Sequence, residues 1–215
     1  MQAQSGPKQW LTLVWLVVLV GAPVRVDATG ILWSKHKPTP ESLVKEKTLK
    51  RVREGSASVT NANWNDSDDF TFLSSTLVRT PLRFARPHVV DPNFYARLTD
   101  AIKKLTYDPR TKTAEIIGEA GGLTMHSWLK MDDRLWDEVH FTIIKGDLKG
   151  MRIRTYLWEE SGKTLIIGKG ELKNARSKFG GLVARVLPTV AEVVIDVATG
   201  RFRGYIEEEY QKKRL

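Results

Sequence analysis

Alternating apolar and polar positions predict a series of short strands in the second half of the chain. Five segments rich in β-branched and aromatic residues are separated by turn signals such as Gly121-Gly122 and Ser161-Gly162. These segments are residues 113–119, 123–131, 135–145, 151–159 and 164–172. Because connections this short join antiparallel neighbours, the pattern predicts an antiparallel meander.

Two further elements are predicted before the meander. Residues 70–79 (FTFLSSTLVR) indicate a strand that Pro81 ends. Asp91-Pro92 then has the residue types that begin a helix, since Asp caps free amides and Pro suits the first turn. Three- and four-residue spacing extends this predicted helix to about residue 107, through Phe94, Leu98, Ala101, Ile102 and Leu105.

The chain closes with a predicted helix that begins at about Pro188. Its apolar face consists of Val190, Val194, Val197, Ala198, Phe202, Tyr205, Ile206 and Tyr210. Gly200 and Gly204 are costly inside a helix, at roughly 1 kcal/mol each relative to Ala. We expect a bend at Gly200; the alternative is a close approach of the helix to the sheet or to a ligand.

The N-terminal segment has the pattern of an export signal. Residues 11–24 (LTLVWLVVLVGAPV) form an apolar run that follows Lys8 and is shorter than a membrane-spanning helix requires. Val26 and Ala28 fit the small-residue cleavage rule, so we expect residues 1–28 to be a signal peptide. The mature protein would then be periplasmic or secreted; an uncleaved N-terminal anchor is the alternative.

Composition changes this picture in two ways. The 215 residues include no Cys, which excludes disulfides, thiolate metal sites and a lipoprotein anchor. They carry 34 Lys and Arg against 25 acidic residues, a formal charge of +9. Seven of the cations lie between residues 35 and 53, beside two carboxylates.

This charge bears on residues 29–69, which are predicted to be a basic N-terminal extension. We expect it to be solvated and partly ordered, with an edge strand within residues 55–64. The alternative is that residues 35–53 bind an anionic membrane surface. Nucleic acid is not expected as a partner, because export separates the protein from most of it.

The order of the predicted elements resembles a known superfamily. One strand, a helical insertion, an antiparallel meander and a long C-terminal helix are typical of the START-like, or SRPBCC, helix-grip proteins. The resemblance covers roughly residues 70–213. It rests on TLVRTPLRFARPHVVDPNFYARLTD, IIKGDLKGMRIRTYLWEESGKTLIIGKGEL and VLPTVAEVVIDVATGRFRGYIEEEY. The residue pattern of these segments is similar to that of the polyketide cyclase/dehydrase and ubiquinone-binding branches.

The resemblance implies an α+β helix-grip domain over residues 70–215. A curved antiparallel sheet of about six to seven strands would wrap on the C-terminal helix, with an apolar cavity between them. Members of this superfamily bind lipids, sterols, quinones or polyketides, and a minority are enzymes. We therefore expect an exported protein that binds an apolar or amphipathic small molecule.

No motif assigns a catalytic, metal or cofactor site. The chain has no nucleophile elbow and no phosphate-binding loop. Its four histidines, His36, His88, His126 and His140, lack metal-ligand spacing. A metal site at His126 and His140 would need a carboxylate such as Glu115 or Glu138. The enzymatic alternative is a cyclase or dehydratase that uses His126, His140 or Tyr156 as acid or base.

The predicted ligand contacts depend on which face of the sheet is concave. In residues 151–159, Arg152, Arg154, Tyr156 and Trp158 share one face, and aliphatic residues share the other. We predict that the sheet contributes His126, Trp128, Tyr156 and Trp158, and that the helix contributes Val194, Ala198, Phe202 and Tyr205. If the aliphatic face is concave, Met125 and Leu157 take these places and the arginines are solvated.

Overall fold

The computed structural model describes residues 24–26, 31–55, 59–65, 68–179 and 181–214. Most of the predicted signal peptide, including residues 1–23 and the cleavage site, lies outside the described residues. Within the described ranges no helix is both long and apolar enough to cross a membrane.

The described strands form two sheets. In chain order they are β1 (Val24–Val26), β2 (Leu32–Ser34), β3 (Val59–Trp64), β4 (Phe70–Val78), β5 (Ile102–Asp108), β6 (Thr113–Ala120), β7 (Leu123–Asp132), β8 (Glu138–Gly146), β9 (Arg152–Glu160) and β10 (Lys163–Leu172). β1 pairs with β2 alone. The other eight form one antiparallel sheet in the order β3-β4-β10-β9-β8-β7-β6-β5.

The predicted meander is confirmed. All five of its strands are present, and each pairs antiparallel with its neighbour along the chain. The turns at Gly121-Gly122 and Ser161-Gly162 have positive φ at both residues, the conformation that two-residue hairpins favour. The main sheet has one strand more than the upper end of the prediction.

Six helices surround the sheet in the described part of the chain. They are α1 (Pro40–Leu43), α2 (Glu46–Arg53), α3 (Leu82–Val89), α4 (Pro92–Tyr95), α5 (Ala175–Phe179) and α6 (Gly181–Lys212). The long α6 lies against β3 and β4 and buries Phe202 and Ile206 in the main core. It begins seven residues before the predicted start at Pro188.

The helix predicted over residues 91–107 is wrong beyond its first turn. Asp91 does cap α4, since its carboxylate accepts a hydrogen bond from the Asn93 amide at 3.0 Å. However, α4 ends at Tyr95, and residues 102–108 form β5, which pairs with β6. The apolar spacing is compatible with a helix, but pairing with β6 along one side makes this segment an edge strand of the sheet. Helix α3, which contains Pro87, was not predicted.

The basic extension is not the solvated leader that the sequence predicted. Val44, Leu49 and Val52 are fully buried on the outer, convex face of the sheet. They form a second apolar group, called the outer cluster here, with Leu77, Leu165 and Ile167. β3, which precedes the predicted domain start, is one of the two edge strands of the main sheet.

Gly200 and Gly204 of α6 face solvent. A Cβ atom at Gly200 or Gly204 would meet no atom within 4 Å. The structure therefore does not support a close approach of the helix at these residues. Val193 and Val197, on the same helix, are 59% and 42% exposed.

Candidate ligand cavity

A cavity lies between the concave face of the sheet and α6. It has two adjoining lobes, each with a volume of about 360 Å³. Phe72, Ile153 and Val194 contribute to the walls of both lobes. Alternation along the strands places every second side chain in this space, and α6 closes it from the other side.

One lobe, called the hydroxyl lobe here, combines apolar walls with five Ser and Thr side chains. They are Ser74 and Thr76 on β4, Thr99 before β5, Thr155 on β9 and Thr199 on α6. Gly168 on β10 pairs with Ser74 on one side and with Thr155 on the other. Ser74, Gly168 and Thr155 therefore form one row across three strands.

Two of these hydroxyls are hydrogen-bonded to each other. Thr199 donates to the carbonyl of Ile195 at 2.7 Å, within its own helix. Oγ of Ser74 lies 2.9 Å from Oγ1 of Thr199, which links β4 to α6. In contrast, Oγ1 of Thr76 is buried and has no hydrogen-bond partner among the described residues.

The second lobe, called the apolar lobe here, extends toward the β6–β7 hairpin. Met125, Leu129, Ile143 and Leu187 are among its walls. Its polar lining residues are Ser127 and the exposed Glu119. This lobe suits hydrocarbon, because apolar surface is transferred from water into contact with apolar side chains.

Tyr95 is the ionisable residue of the hydroxyl lobe among the described residues. Its hydroxyl donates a hydrogen bond to the Val89 carbonyl at 2.8 Å. Desolvation of the phenolate by the surrounding protein raises the pKa of Tyr95 far above its ordinary value. Tyr95 is therefore a neutral wall residue whose proton is already used.

Two glycines on β10 differ in the space that a side chain would find at their positions. A Cβ atom at Gly168 would have the Thr155 hydroxyl at 3.9 Å as its nearest neighbour, an ordinary contact. A Cβ atom at Gly170 would lie 1.9 Å from the ring of Phe72. Gly168 therefore leaves open space in the cavity, whereas the Phe72 ring already covers Gly170.

The structure places three of the four predicted helix residues in the cavity. Val194, Ala198 and Phe202 all line the hydroxyl lobe. Tyr205 does not: its side chain is 42% exposed, and its ring packs edge-on against Phe94 at 5.0 Å. Tyr205 lies one helical turn past Phe202, and its side chain points to the exposed side of α6 rather than into the cavity.

The four predicted sheet residues lie on the other face. His126, Trp128, Tyr156 and Trp158 are absent from the cavity walls, which Met125, Ser127, Ile153 and Thr155 form instead. The aliphatic face of β9 is the concave one, and Arg152 and Arg154 are exposed. The prediction was wrong by one residue of register, which moves every side chain to the opposite face.

On the outer face, these residues have structural partners. His126 is hydrogen-bonded through Nε2 to Glu115 at 2.8 Å, and its ring lies 4.1 Å from that of Trp128. Tyr156 is buried beside Ile167, its partner on β10. Trp158 packs against the outer cluster, with the Lys37 ammonium 5.0 Å from its ring.

The histidines do not form a common site. His140 pairs across the strands with Asp132, six positions from His126, and its side chain contacts Glu138. His88 joins α3 to α6 through a 2.8 Å contact with Glu209. The described residues contain no group of three or more His, Asp or Glu side chains suited to a metal ion.

The hydroxyl residues of the cavity were not identified from the sequence. Phe72, Ser74 and Thr76 alternate within FTFLSSTLVR, so they share one face of β4. That pattern was visible, but the segment is apolar on both sides and does not show which face is concave. Thr199 adjoins the predicted helix stripe and resembles an ordinary helix threonine.

Comparison with known proteins identifies the architecture. No protein-family model matches the chain, and no curated protein is significantly similar in sequence. Among solved structures, a protein from Thermus thermophilus is similar with a TM-score of 0.52 and 12% identity, over 62% of this chain and 94% of that one. A START superfamily protein from Mycobacterium smegmatis has a TM-score of 0.50 and 11% identity, over 64% and 97% of the two chains.

A third similar structure is the di-domain ARO/CYC StfQ from the steffimycin biosynthetic pathway. Its TM-score is 0.51 at 10% identity, over 77% of this chain and 56% of that chain. At such identities the likeness concerns the fold alone. The eight-stranded antiparallel sheet closed on α6 shows that this chain has the START-like helix-grip fold.

Proposed function

We propose that this chain is an exported protein that binds an apolar or amphipathic small molecule between the concave sheet and α6. The observation that carries the proposal is the cavity itself. Two adjoining lobes of about 360 Å³ each fall in the size range of small-molecule sites. Protein interiors are otherwise closely packed, so an apolar space of this size is unusual for a core that serves stability alone.

The placement of ionisable groups favours binding over catalysis. The acid-base candidates His126, His140 and Tyr156 lie outside the cavity walls. Tyr95, which does line the hydroxyl lobe, has its proton engaged by Val89. A cyclase or dehydratase would need an acid or base within reach of the substrate. Among the described residues, Glu119 is the carboxylate in the cavity walls, and its side chain is exposed.

Binding to an anionic membrane remains a weaker candidate. Two cations of the basic segment are engaged within the protein. Lys37 pairs with the buried Asp137 at 2.8 Å, and Arg53 binds Glu160 at 2.7 Å. These pairs reduce the positive charge that residues 35–53 can offer to a lipid surface, so no structural observation favours this function.

The test of the binding proposal is titration with Nile red, an uncharged dye whose fluorescence rises in apolar surroundings. We expect the wild type to bind the dye and Ala198→Trp to lose the binding, because Ala198 lines the hydroxyl lobe. Gly200→Trp is the matched control, since Gly200 lies two residues away on the solvent face of α6. It should bind the dye as the wild type does.

Circular dichroism should show that both variants are folded. A folded wild type that does not bind the dye would contradict the proposal. Equal loss of binding in both variants would also contradict it, because the dye would then occupy another surface.

Export is the second part of the proposal, and it is supported by the apolar run at residues 11–24. Cleavage after Ala28 would give a mature chain that begins at Thr29 and would remove β1, which lies outside the main sheet. N-terminal sequencing of protein from the native host should find Thr29. A chain that retains Met1 in the cytoplasm would refute this part.

A further inference from the structure

We infer that the solvent face of α6 is an interface at which a second copy of this chain binds. The two α6 helices pack antiparallel about a two-fold axis between Val190 and Val193, with Arg185 of each copy beside Asp196 of the other. This inference goes beyond the proposed function, because the exposed Val193 and Val197 lie outside the cavity walls. An exposed apolar surface, the spacing of its valines and the unpaired charges beside it support the inference.

The solvent side of α6 is apolar where a surface helix is usually polar. Val193 is 59% exposed and Val197 is 42% exposed, so no element in the described part of the chain covers them. The opposite side of the same helix segment buries Leu187 and lines the cavity with Val194. A helix that is apolar on both sides is usually covered on both sides. The solvent side of α6 therefore has the character of an interface.

The apolar side chains on this side have the spacing of a seam between two helices. Their positions alternate steps of three and four residues, which is the a/d spacing by which paired helices interdigitate along one line. Val190 also borders the apolar lobe of the cavity. Single exposed valines are ordinary on protein surfaces, but a continuous row in one register indicates a helical partner. This row, called the valine seam here, consists of Val183, Val186, Val190, Val193 and Val197.

Unpaired charges beside the valine seam indicate that the partner is another copy of the same surface. Arg185 and Asp196 are exposed, and neither forms an ion pair within the described residues. They are 11 residues apart, close to three full turns, so both lie on the same flank of the seam. A two-fold axis between antiparallel helices brings equal flanks together. Arg185 of each copy then meets Asp196 of the other, and symmetry forms the pair twice.

The register that pairs the valines also pairs these charges. With the axis between Val190 and Val193, these two valines lie opposite each other across the interface, and Val186 lies opposite Val197. At about 1.5 Å per residue, Arg185 is then about 3 Å along the axis from Asp196 of the other copy, within reach of its long side chain. A parallel pair would separate the same two residues by about 16 Å along the axis. The charges therefore favour the antiparallel arrangement.

The association should be weak. The valine seam spans residues 183–197, about 21 Å of helix at 1.5 Å per residue. A single helix pair of this length buries less surface than the roughly 1,600 Å² of a standard interface. We therefore expect a dissociation constant of about 10–100 µM. At low micromolar concentrations the chain is then a monomer in which Val193 is exposed.

Sedimentation velocity from low micromolar concentrations to about 500 µM tests this interface. We expect a monomer–dimer equilibrium in the wild type. Val193→Glu should abolish the dimer, since it places two carboxylates among the apolar side chains of the seam. The matched control is Ile144→Glu on β8, because Ile144 is an aliphatic residue that is 44% exposed outside α6. This control should dimerise as the wild type does, and circular dichroism should show that both variants are folded.

A charge exchange tests the identity of the partner and the register. Arg185→Glu and Asp196→Arg should each weaken the dimer about tenfold, because symmetry creates two like-charged pairs in each variant. The double variant restores opposite charges and should dimerise within about threefold of the wild-type affinity.

Three results would count against the interface. A wild type that stays monomeric at all these concentrations would overturn the inference. A dimer that Val193→Glu does not weaken would also overturn it, because the copies would then associate through another surface. A double variant that remains as weak as the single variants would overturn the antiparallel pairing of Arg185 with Asp196.

Discussion

Alanine substitutions at the two glycines of β10 should have opposite effects on stability. Gly168 and Gly170 lie two residues apart on the same face of one strand, and neither has a positive φ. In an unstrained conformation, Gly→Ala stabilises a protein by about 0.4–1 kcal/mol, because the unfolded chain loses freedom. We expect this gain for Gly168→Ala, whose new methyl group would meet the nearest atom at 3.9 Å.

Gly170→Ala should be destabilising instead. The added Cβ atom would lie 1.9 Å from the Phe72 ring, so the ring would have to move toward the cavity. Overpacking of this kind typically costs about 1–3 kcal/mol, more than the gain from the unfolded state. For a chain of this length, 1 kcal/mol shifts the melting temperature by about 2–4 °C.

The assay is thermal unfolding followed by circular dichroism. Gly168→Ala should melt about 1–4 °C above wild type, and Gly170→Ala should melt several degrees below it. The pair controls for strand propensity, because the substitution and the strand are the same. Equal shifts of the melting temperature would refute the reasoning. Two equal decreases would mean that the open space above Gly168 does not exist, and two equal increases would mean that the Phe72 ring does not block Gly170.

Three further predictions concern the packing of α6, the contacts of Glu209 near the C-terminal end of α6, and the unpaired hydroxyl of Thr76. Ile206→Ala removes a fully buried side chain of α6 and should lower the free energy of unfolding in urea by about 2–5 kcal/mol. The control is Val193→Ala at an exposed position, which should change stability by less than about 0.5 kcal/mol. Similar losses in the two variants would contradict the packing of α6. Hydrogen bonds from Lys213 and then His88 lower the pKa of Glu209, so its stabilising effect is present above the ordinary pKa of about 4.3 and is lost as the pH falls through the lowered value. Glu209→Gln should therefore be less stable than wild type at pH 7, and the difference should shrink as the pH falls below about 4.3. A difference that does not change with pH would argue against the contacts of Glu209 with Lys213 and His88. Thr76→Val should stabilise the ligand-free protein by about 1 kcal/mol, because it removes an unpaired buried hydroxyl, and a loss of stability would show that the hydroxyl is already paired.

The meander could be predicted because its signals are local. Turn residues such as Gly121-Gly122 specify both the connection and the antiparallel pairing of the strands on either side. The segment from Phe94 to Leu105 could not be assigned in this way. Its apolar spacing fits a helix, and only the pairing of β5 with β6, which is not local, makes it a strand.

The concave face of the sheet was harder to predict for a different physical reason. β9 is buried on both sides around Tyr156: Thr155 and Leu157 face the cavity side, and Trp158 packs beneath the outer cluster. Because α2 covers the outer face there, both faces are apolar and the usual alternation is lost. The helix residues were easier, since Phe202 and Val194 follow the single apolar stripe of α6.

The most direct test of the central claim is the position of a bound apolar probe. Nuclear Overhauser effects between Nile red and methyl groups of the protein report which side chains lie within a few ångströms of the dye. The account predicts contacts with the methyl groups of Ile153, Val194 and Ile195, which line the cavity. Contacts confined to the exposed Ile144, Val193 and Val197 would place the dye on the surface and contradict a ligand site between the sheet and α6.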